Sequence, residues 1–377
     1  AADDAGSLDG DDGVGDDRPM RAAVLSTPRP VDGGPLTLDD VPEPTPGPGD
    51  VLIAVEACGV CRTDLQLCEG DLPAQLLPIV PGHQVVGSVV ALGDDVAGGS
   101  DGVLVDGTDA GPRTPADGEA ALTVGDRVGI AWIASTCGRC RFCTSGRENL
   151  CEQARFTGWH RDGGYAHLVT ARPDFVHRLP ATLDAVRAAP LLCGGAIGLR
   201  SLRVSGIRPG GRLGLYGFGA SATCVIQIAR HWGCEVYVAT RSPTEQARAR
   251  RLGASWAGGY DEVPPHPLDA AITFAPVGSV VVDALRALDR GGVVAVNAIH
   301  LDHVPEFDYD HLWWERQVRS VANVTRDDVR DLIALADEIP IVTDVVRYGL
   351  DDANTALADL AAGRIAGAAV LDVSDTG

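Results

Sequence analysis

Four cysteines packed into one short stretch constrain this chain more than any other feature. They read Cys137-Gly-Arg-Cys140-Arg-Phe-Cys143, then seven residues, then Cys151. Four thiolates so close in sequence can close a tetrahedral shell around one Zn²⁺, and a shell of four protein ligands leaves no position for substrate. Such a site is structural. The competing uses are two disulfides, or burial of the thiols as small hydrophobes. No secretory signal pattern is read in the chain, so the expected compartment is the cytoplasm, where thiols stay reduced. Zinc is therefore the expected occupant.

Composition narrows the surroundings. A chain of 377 residues with 45% hydrophobic content is expected to form about two domains with substantial cores. No apolar run is long enough to span a bilayer, so no membrane role is expected. The net charge of −21 argues against nucleic acid, which needs basic patches. It thereby disfavours a nucleic-acid zinc ribbon as the setting of the quartet. The charge has an unusual make-up: all 31 basic residues are arginine. Residues 1–19 hold seven aspartates and no core, and read as a disordered acidic tail. Residues 94–121 read as an acidic, glycine-rich surface insertion. Dense carboxylates fit adaptation to high salt, where screening relieves their repulsion; GC-rich coding would remove lysine without it.

Three further segments flank the quartet. Residues 58–64 read Cys-Gly-Val-Cys-Arg-Thr-Asp, residues 81–87 Pro-Gly-His-Gln-Val-Val-Gly, and residues 191–198 Leu-Leu-Cys-Gly-Gly-Ala-Ile-Gly. Each is weak alone. In this order around a Cys-quartet loop they resemble the medium-chain, zinc-dependent alcohol dehydrogenases, and the run Tyr216-Gly-Phe-Gly-Ala-Ser-Ala222 further on resembles the glycine motif of their bacterial and archaeal branch. The resemblance implies a catalytic zinc held by Cys61, His83 and Cys193, with the fourth position for water or substrate. Two cysteines and one histidine are the ligand set known for alcohol dehydrogenases, so the assignment is carried by the family. A zinc of this kind is a Lewis acid that lets an alkoxide form near neutral pH before its hydride leaves for nicotinamide. The resemblance further assigns Thr63 to the proton relay, Asp64 to orienting His83, and Arg62 to the cofactor pyrophosphate. Cys58, Cys68, Cys224 and Cys234 are read as packing. Two positions depart from the commoner pattern: Gln84 follows the ligand histidine, and Gln66 stands where a relay histidine is usual. Gln66 cannot change charge near pH 7, so proton release is expected to run through water and the cofactor ribose.

The cofactor site is read further on. Residues 212–217 form an apolar strand, and Gly217-Phe-Gly219-Ala-Ser-Ala222 opens a helix. Between strand and helix this is the dinucleotide fingerprint: Gly217 for the turn, Gly219 for approach of the pyrophosphate, Ala222 for helix packing. The next strand, 235–239, ends at Thr240-Arg241-Ser242, without the carboxylate that usually binds the NAD ribose. Arg241 could instead pair a 2′-phosphate. NADP is favoured, with NAD the alternative.

The expected architecture is α/β. A β-rich, GroES-like catalytic domain takes residues 20–188 and 340–377. A Rossmann domain with a doubly wound parallel sheet takes 189–339, with strands near 212–217, 235–239, 269–274 and 292–298, and helices near 243–252, 279–289 and 327–338. Ligands and cofactor should meet between the domains. Trp132, Ile133 and Trp159 are candidates to line the pocket. The expected function is reversible hydride transfer between a primary or secondary alcohol and its aldehyde or ketone. Two zinc ions per chain, a small-molecule alcohol or aldehyde partner and a homo-oligomer are expected. The alternatives are a zinc-binding member without catalysis, or a zinc-type reductase acting on another carbonyl or polyol.

Overall fold

A computed structural model describes residues 18–96, 121–299 and 301–374. Most of the expected acidic tail and insertion therefore lies outside the described residues. The tail boundary needs one correction: Pro19 already opens strand β1 (Pro19–Leu25), which pairs with β2 (Leu36–Pro42) through Pro19 opposite Pro42. That ladder ties down residues otherwise grouped with the aspartate-rich segment.

The β-rich unit follows from alternating apolar runs. β3 (Val51–Val60) and β4 (Gln84–Leu92) are both largely buried and pair antiparallel. Helix α1 (Arg62–Glu69) lies between them. The unit adds β5 (Arg127–Ile130), a short pair β6 (Ile133–Ser135) and β7 (Arg155–Phe156), then β8 (Leu168–Ala171) and β9 (Val176–Arg178). Its main sheet takes in the distant C-terminal strands β16 (Val345–Gly349) and β17 (Ala368–Asp372), with helix α8 (Ala353–Ala361) between them. β17 pairs with β3, so the last part of the chain rejoins the first.

After the short helix α2 (Ala185–Ala188), α3 (Gly194–Ser205) leads into the second unit. Its elements are β10 (Arg212–Tyr216), α4 (Ala220–His231), β11 (Glu235–Ala239), α5 (Pro243–Arg251), β12 (Trp256–Gly258), β13 (Leu268–Thr273), α6 (Gly278–Arg286), β14 (Leu288–Val296), β15 (Gln317–Ser320) and α7 (Arg326–Glu338). The six strands run parallel in the order β12-β11-β10-β13-β14-β15. That is a Rossmann sheet, whose order reverses at β10, the strand before the glycine turn. Strands and helices fall within a few residues of their expected places. β12 and β15 had no sequence expectation: both are short and weakly apolar, and are strands because neighbouring strands offer them a ladder. No helix among the described residues is long and apolar enough to cross a membrane.

Candidate active site and metal centres

Strand pairing brings the first two ligands together. β3 ends at Val60 and β4 begins at Gln84, and Gly59 stands opposite Gln84 in the ladder. Cys61 and His83 are the residues just beyond those paired ends, so they must be neighbours. The Cys61 Sγ lies 3.4 Å from His83 Nε2. Cys193 arrives from the other side, as the residue that opens α3. The three ligand atoms lie within 4.8 Å of one another.

Secondary contacts fix this cluster. Asp64 accepts from the Cys61 backbone N–H at 2.9 Å through one oxygen and meets His83 Nδ1 at 3.1 Å through the other. The Cys61 sulfur accepts from the Thr63 N–H at 3.3 Å. Asp64 and His83 are almost wholly buried. The hydrogen bond on Nδ1 turns Nε2 toward the sulfur, which is how outer carboxylates orient ligand histidines. The loop before His83 is held by three backbone bonds: Gly163 N–H to Val80, Gly164 N–H to Gly82 and Tyr165 N–H to Pro81.

The electrostatics suit a cation. A hydrogen bond from Cys193, helped by His83, holds the Cys61 thiol well below its usual range against the cost of burial. That same bond, with burial, pushes Cys193 up. Burial alone would lower His83, but Cys61 and Asp64 beside it raise it well above its ordinary value. Burial likewise raises the Asp64 carboxyl, against the lowering effect of His83 beside it. A tetrahedral zinc would put sulfur and nitrogen about 3.6 Å apart from ordinary bond lengths, close to the observed 3.4 Å. The residues fit the ion.

The quartet is a separate centre. Cys137, Cys140, Cys143 and Cys151 also place their sulfurs within 4.8 Å of one another. Sulfur–sulfur contacts of 3.6 Å and 3.9 Å match the roughly 3.8 Å edge of a tetrahedral zinc–sulfur shell. The backbone N–H of Arg139, with that of Cys140 and against burial, lowers Cys137 to about 6. Burial pushes Cys143 up to about 12. All ten cysteines are free thiols, and Cys58, Cys68, Cys224 and Cys234 are buried outside both clusters, as packing predicts.

Aromatic rings wall the open cluster on the side of the quartet. Trp132 meets His83 edge-on with centroids 4.7 Å apart, and stacks on Phe156 at 4.9 Å and Trp159 at 5.9 Å. His160 stands edge-on to Trp159 at 4.4 Å. Of the three candidates to line a pocket, Trp132 is the one in contact with His83; Trp159 stacks behind it, and Ile133 is buried core. Phe156 and His160 were missed. Phe156 owes its place to the β6–β7 pair, a two-residue strand that leaves almost no sequence signal.

At the cofactor end, Gly217 has φ +93°, and a Cβ there would meet the Ala275 backbone N at 3.0 Å. Gly219 faces open space and precedes α4, and Ala222 is fully buried. Arg62 and Arg241 are exposed. Thr240 is buried, and the Ser242 hydroxyl caps α5 by accepting from Glu245 N–H at 3.3 Å. Of the Thr240-Arg241-Ser242 stretch, Arg241 alone presents an exposed side chain.

A Rossmann sheet joined to a β-rich unit with an open Cys₂His cluster defines a class, the nicotinamide-dependent, metal-assisted oxidoreductases. Residues 47–181 match the alcohol dehydrogenase GroES-like domain and residues 220–338 the zinc-binding dehydrogenase domain. The chain is 47% identical to the probable alcohol dehydrogenase AdhA of Mycobacterium tuberculosis, over 93% of this chain and 97% of that one. It is 32% identical to an alcohol dehydrogenase of Geobacillus stearothermophilus, over 94% and 100%. Among solved structures, acetophenone reductase from Geotrichum candidum in complex with NAD superposes with a TM-score of 0.77 at 25% identity, covering 96% of this chain and 99% of that one. The chain belongs to the medium-chain, zinc-dependent alcohol dehydrogenase family, whose members use NAD(P).

Proposed function

We propose that the chain oxidises a primary or secondary alcohol to its aldehyde or ketone, and runs the reverse reduction, with Cys61, His83 and Cys193 holding a catalytic zinc. One observation carries this reading: three ligand atoms from three distant segments converge within 4.8 Å, against Asp64 on one side and aromatic rings on another. A bound zinc would supply Lewis acidity toward the alcohol oxygen. Thr63, in the first turn of α1 beside Cys61, would take the hydroxyl proton through its own hydroxyl. Asp64 keeps His83 oriented. Gln66, partly exposed on the same helix, cannot change charge near pH 7, so Thr63 would hand the proton on without a side-chain base at that position. Trp132 and Trp159 exclude water and offer flat apolar walls to the substrate's side chain.

The quartet would hold a second, structural zinc, giving two per chain. Gly217, Gly219 and Ala222 would seat the pyrophosphate on the N-terminus of α4, with Arg62 pairing its charge. Arg241 would bind a 2′-phosphate, which favours NADP over NAD. A homo-oligomer fits the open edge of the sheet at β15, all four of whose residues are exposed. The excess of 52 acidic over 31 basic residues would suit high salt, where screening relieves their repulsion. The reading is tested by absorbance at 340 nm with NADP⁺ and NAD⁺ against a panel of alcohols, in the native protein and in Arg241→Asp. Turnover with neither cofactor sinks the activity. Strong native preference for NAD sinks the role of Arg241.

A further inference from the structure

We propose that the cysteine-quartet lobe positions the open metal site across the seam between the two domains, with Glu148 as the positioning residue. The inference rests on the reading of Cys193 as a ligand of that open site. Glu148 lies three residues before Cys151, in the tip of the lobe. It is an acid with 3% exposure, a costly place for a carboxylate without a partner. Its partner is across the seam: Glu148 Oε1 accepts from the Arg326 backbone N–H at 3.1 Å and from its guanidinium at 3.3 Å. Arg326 is also fixed over the Phe175 ring at 4.7 Å. Asn149, the next lobe residue, donates to the Ala322 carbonyl at 2.8 Å, and Asn323 donates back to the Asn149 carbonyl at 3.2 Å. The lobe therefore grips residues 322–326, the segment that starts α7.

From there the contacts lead to Cys193. Thr325 caps α7 in a reciprocal box with Asp328. Asp328 is 1% exposed and accepts from Arg200 at 3.0 Å and Arg203 at 2.6 Å, both on α3. Higher on the same pair of helices, Leu332 of α7 packs on Gly195 so closely that a Cβ there would lie 2.7 Å from it. Gly195 is two residues from Cys193, which opens α3. The start of α3 is thus held by α7, and the start of α7 is held by the quartet lobe. The other ends of the lobe reach His83: β6 and β7 are its stem, and Trp132, just before β6, meets the histidine edge-on and stacks on Phe156 of β7. A lobe that served only to staple its own loop would not need a buried acid aimed at the partner domain.

The experiment uses the full chain with both metals. Glu148→Ala, Glu148→Gln and Arg326→Met are compared by zinc content, by release of zinc to 4-(2-pyridylazo)resorcinol, and by amide exchange at residues 195–199 with and without metal. Glu148→Ala is expected to keep the quartet zinc, yet release the second zinc about tenfold faster, the low end of the effect of losing a ligand's support. Exchange in the first turn of α3 should quicken in the metal-free protein too, and kcat should fall more than KM changes. Glu148→Gln keeps an acceptor for the Arg326 N–H and should recover most of the difference; Arg326→Met should repeat it. Unchanged release and exchange in Glu148→Ala, with only a lower melting temperature, would overturn the proposal. If Glu148→Ala does not fold, wild-type release and exchange in both Glu148→Gln and Arg326→Met overturn it equally. A native protein with no second zinc would instead refute the open-site reading, while α3 exchange still decides the mechanical link.

Discussion

The quartet and the open cluster use the same chemistry and are assembled in opposite ways. The quartet draws four sulfurs from one loop, and its short spacings bring them together whatever the rest of the chain does. The open cluster draws Cys61, His83 and Cys193 from the end of β3, the start of β4 and the start of α3. It exists only if the β3–β4 register is right and the second domain is seated. An open site, with a position left for substrate, depends on the whole tertiary structure and is sensitive to its seams.

The contrast is broken most sharply by His83→Ala. Removing a ligand from a three-ligand site should cost turnover about a thousandfold or more, since Lewis-acid stabilisation is worth several kcal/mol. Metal analysis should show the open-site zinc gone and the quartet zinc kept. Full zinc content would mean that the cluster is not the metal site. Asp64→Asn comes next, because it leaves the ligands and removes the charge behind His83. Open-site zinc affinity should weaken by about 10- to 100-fold, read by competition with a chelator, and the quartet should be unmoved.

Cys140→Ser tests the other side of the comparison. With one of four ligands lost, the quartet zinc should leave and the melting temperature should fall by several degrees, because metal binding there contributes to folding directly. Turnover should drop only about tenfold, through the loosened seam. A thousandfold loss would mean that the two centres are not separable.

The effect expected to reach turnover least concerns the joint between them. Burial works to raise the Asp328 carboxyl, but the Thr325 N–H and Arg203 outweigh it and hold the group below its usual range. A carboxylate with a depressed folded pKa stabilises the fold at pH above its unfolded value near 3.9, and that contribution is lost as pH falls through the folded value. Asp328→Asn should therefore cost about 3 kcal/mol at pH 7. The gap from the native protein should narrow as pH drops below about 4, measured by urea unfolding across pH. A gap independent of pH would assign the loss to packing.

Much of the molecule is legible in its sequence. The alternation of strands and helices from 212 onward, the glycine turn at 217–222 and the Cys spacing at 137–151 are local patterns, and local patterns survive in sequence. The segments at 58–64, 81–87 and 191–198 are legible only as a family resemblance, since a lone histidine after Pro-Gly carries no information on what it faces. The aromatic wall is half legible: Trp132 and Trp159 from position, Phe156 and His160 not at all. Glu148 gives no signal, because an acid in a polar loop looks solvated until a second domain covers it.

The sequence by itself determined the ligand types, the closed character of the quartet, the order of the elements and the fingerprint that opens α4, because these depend on neighbours along the chain. Tertiary structure alone decided that Cys61, His83 and Cys193 form one cluster, that Trp132 packs on the histidine, and that the lobe tip reaches α7. Those juxtapositions depend on strand register and on the packing of α3 against α7. Both are fixed by the summed burial of residues far apart in sequence, which no local spacing records.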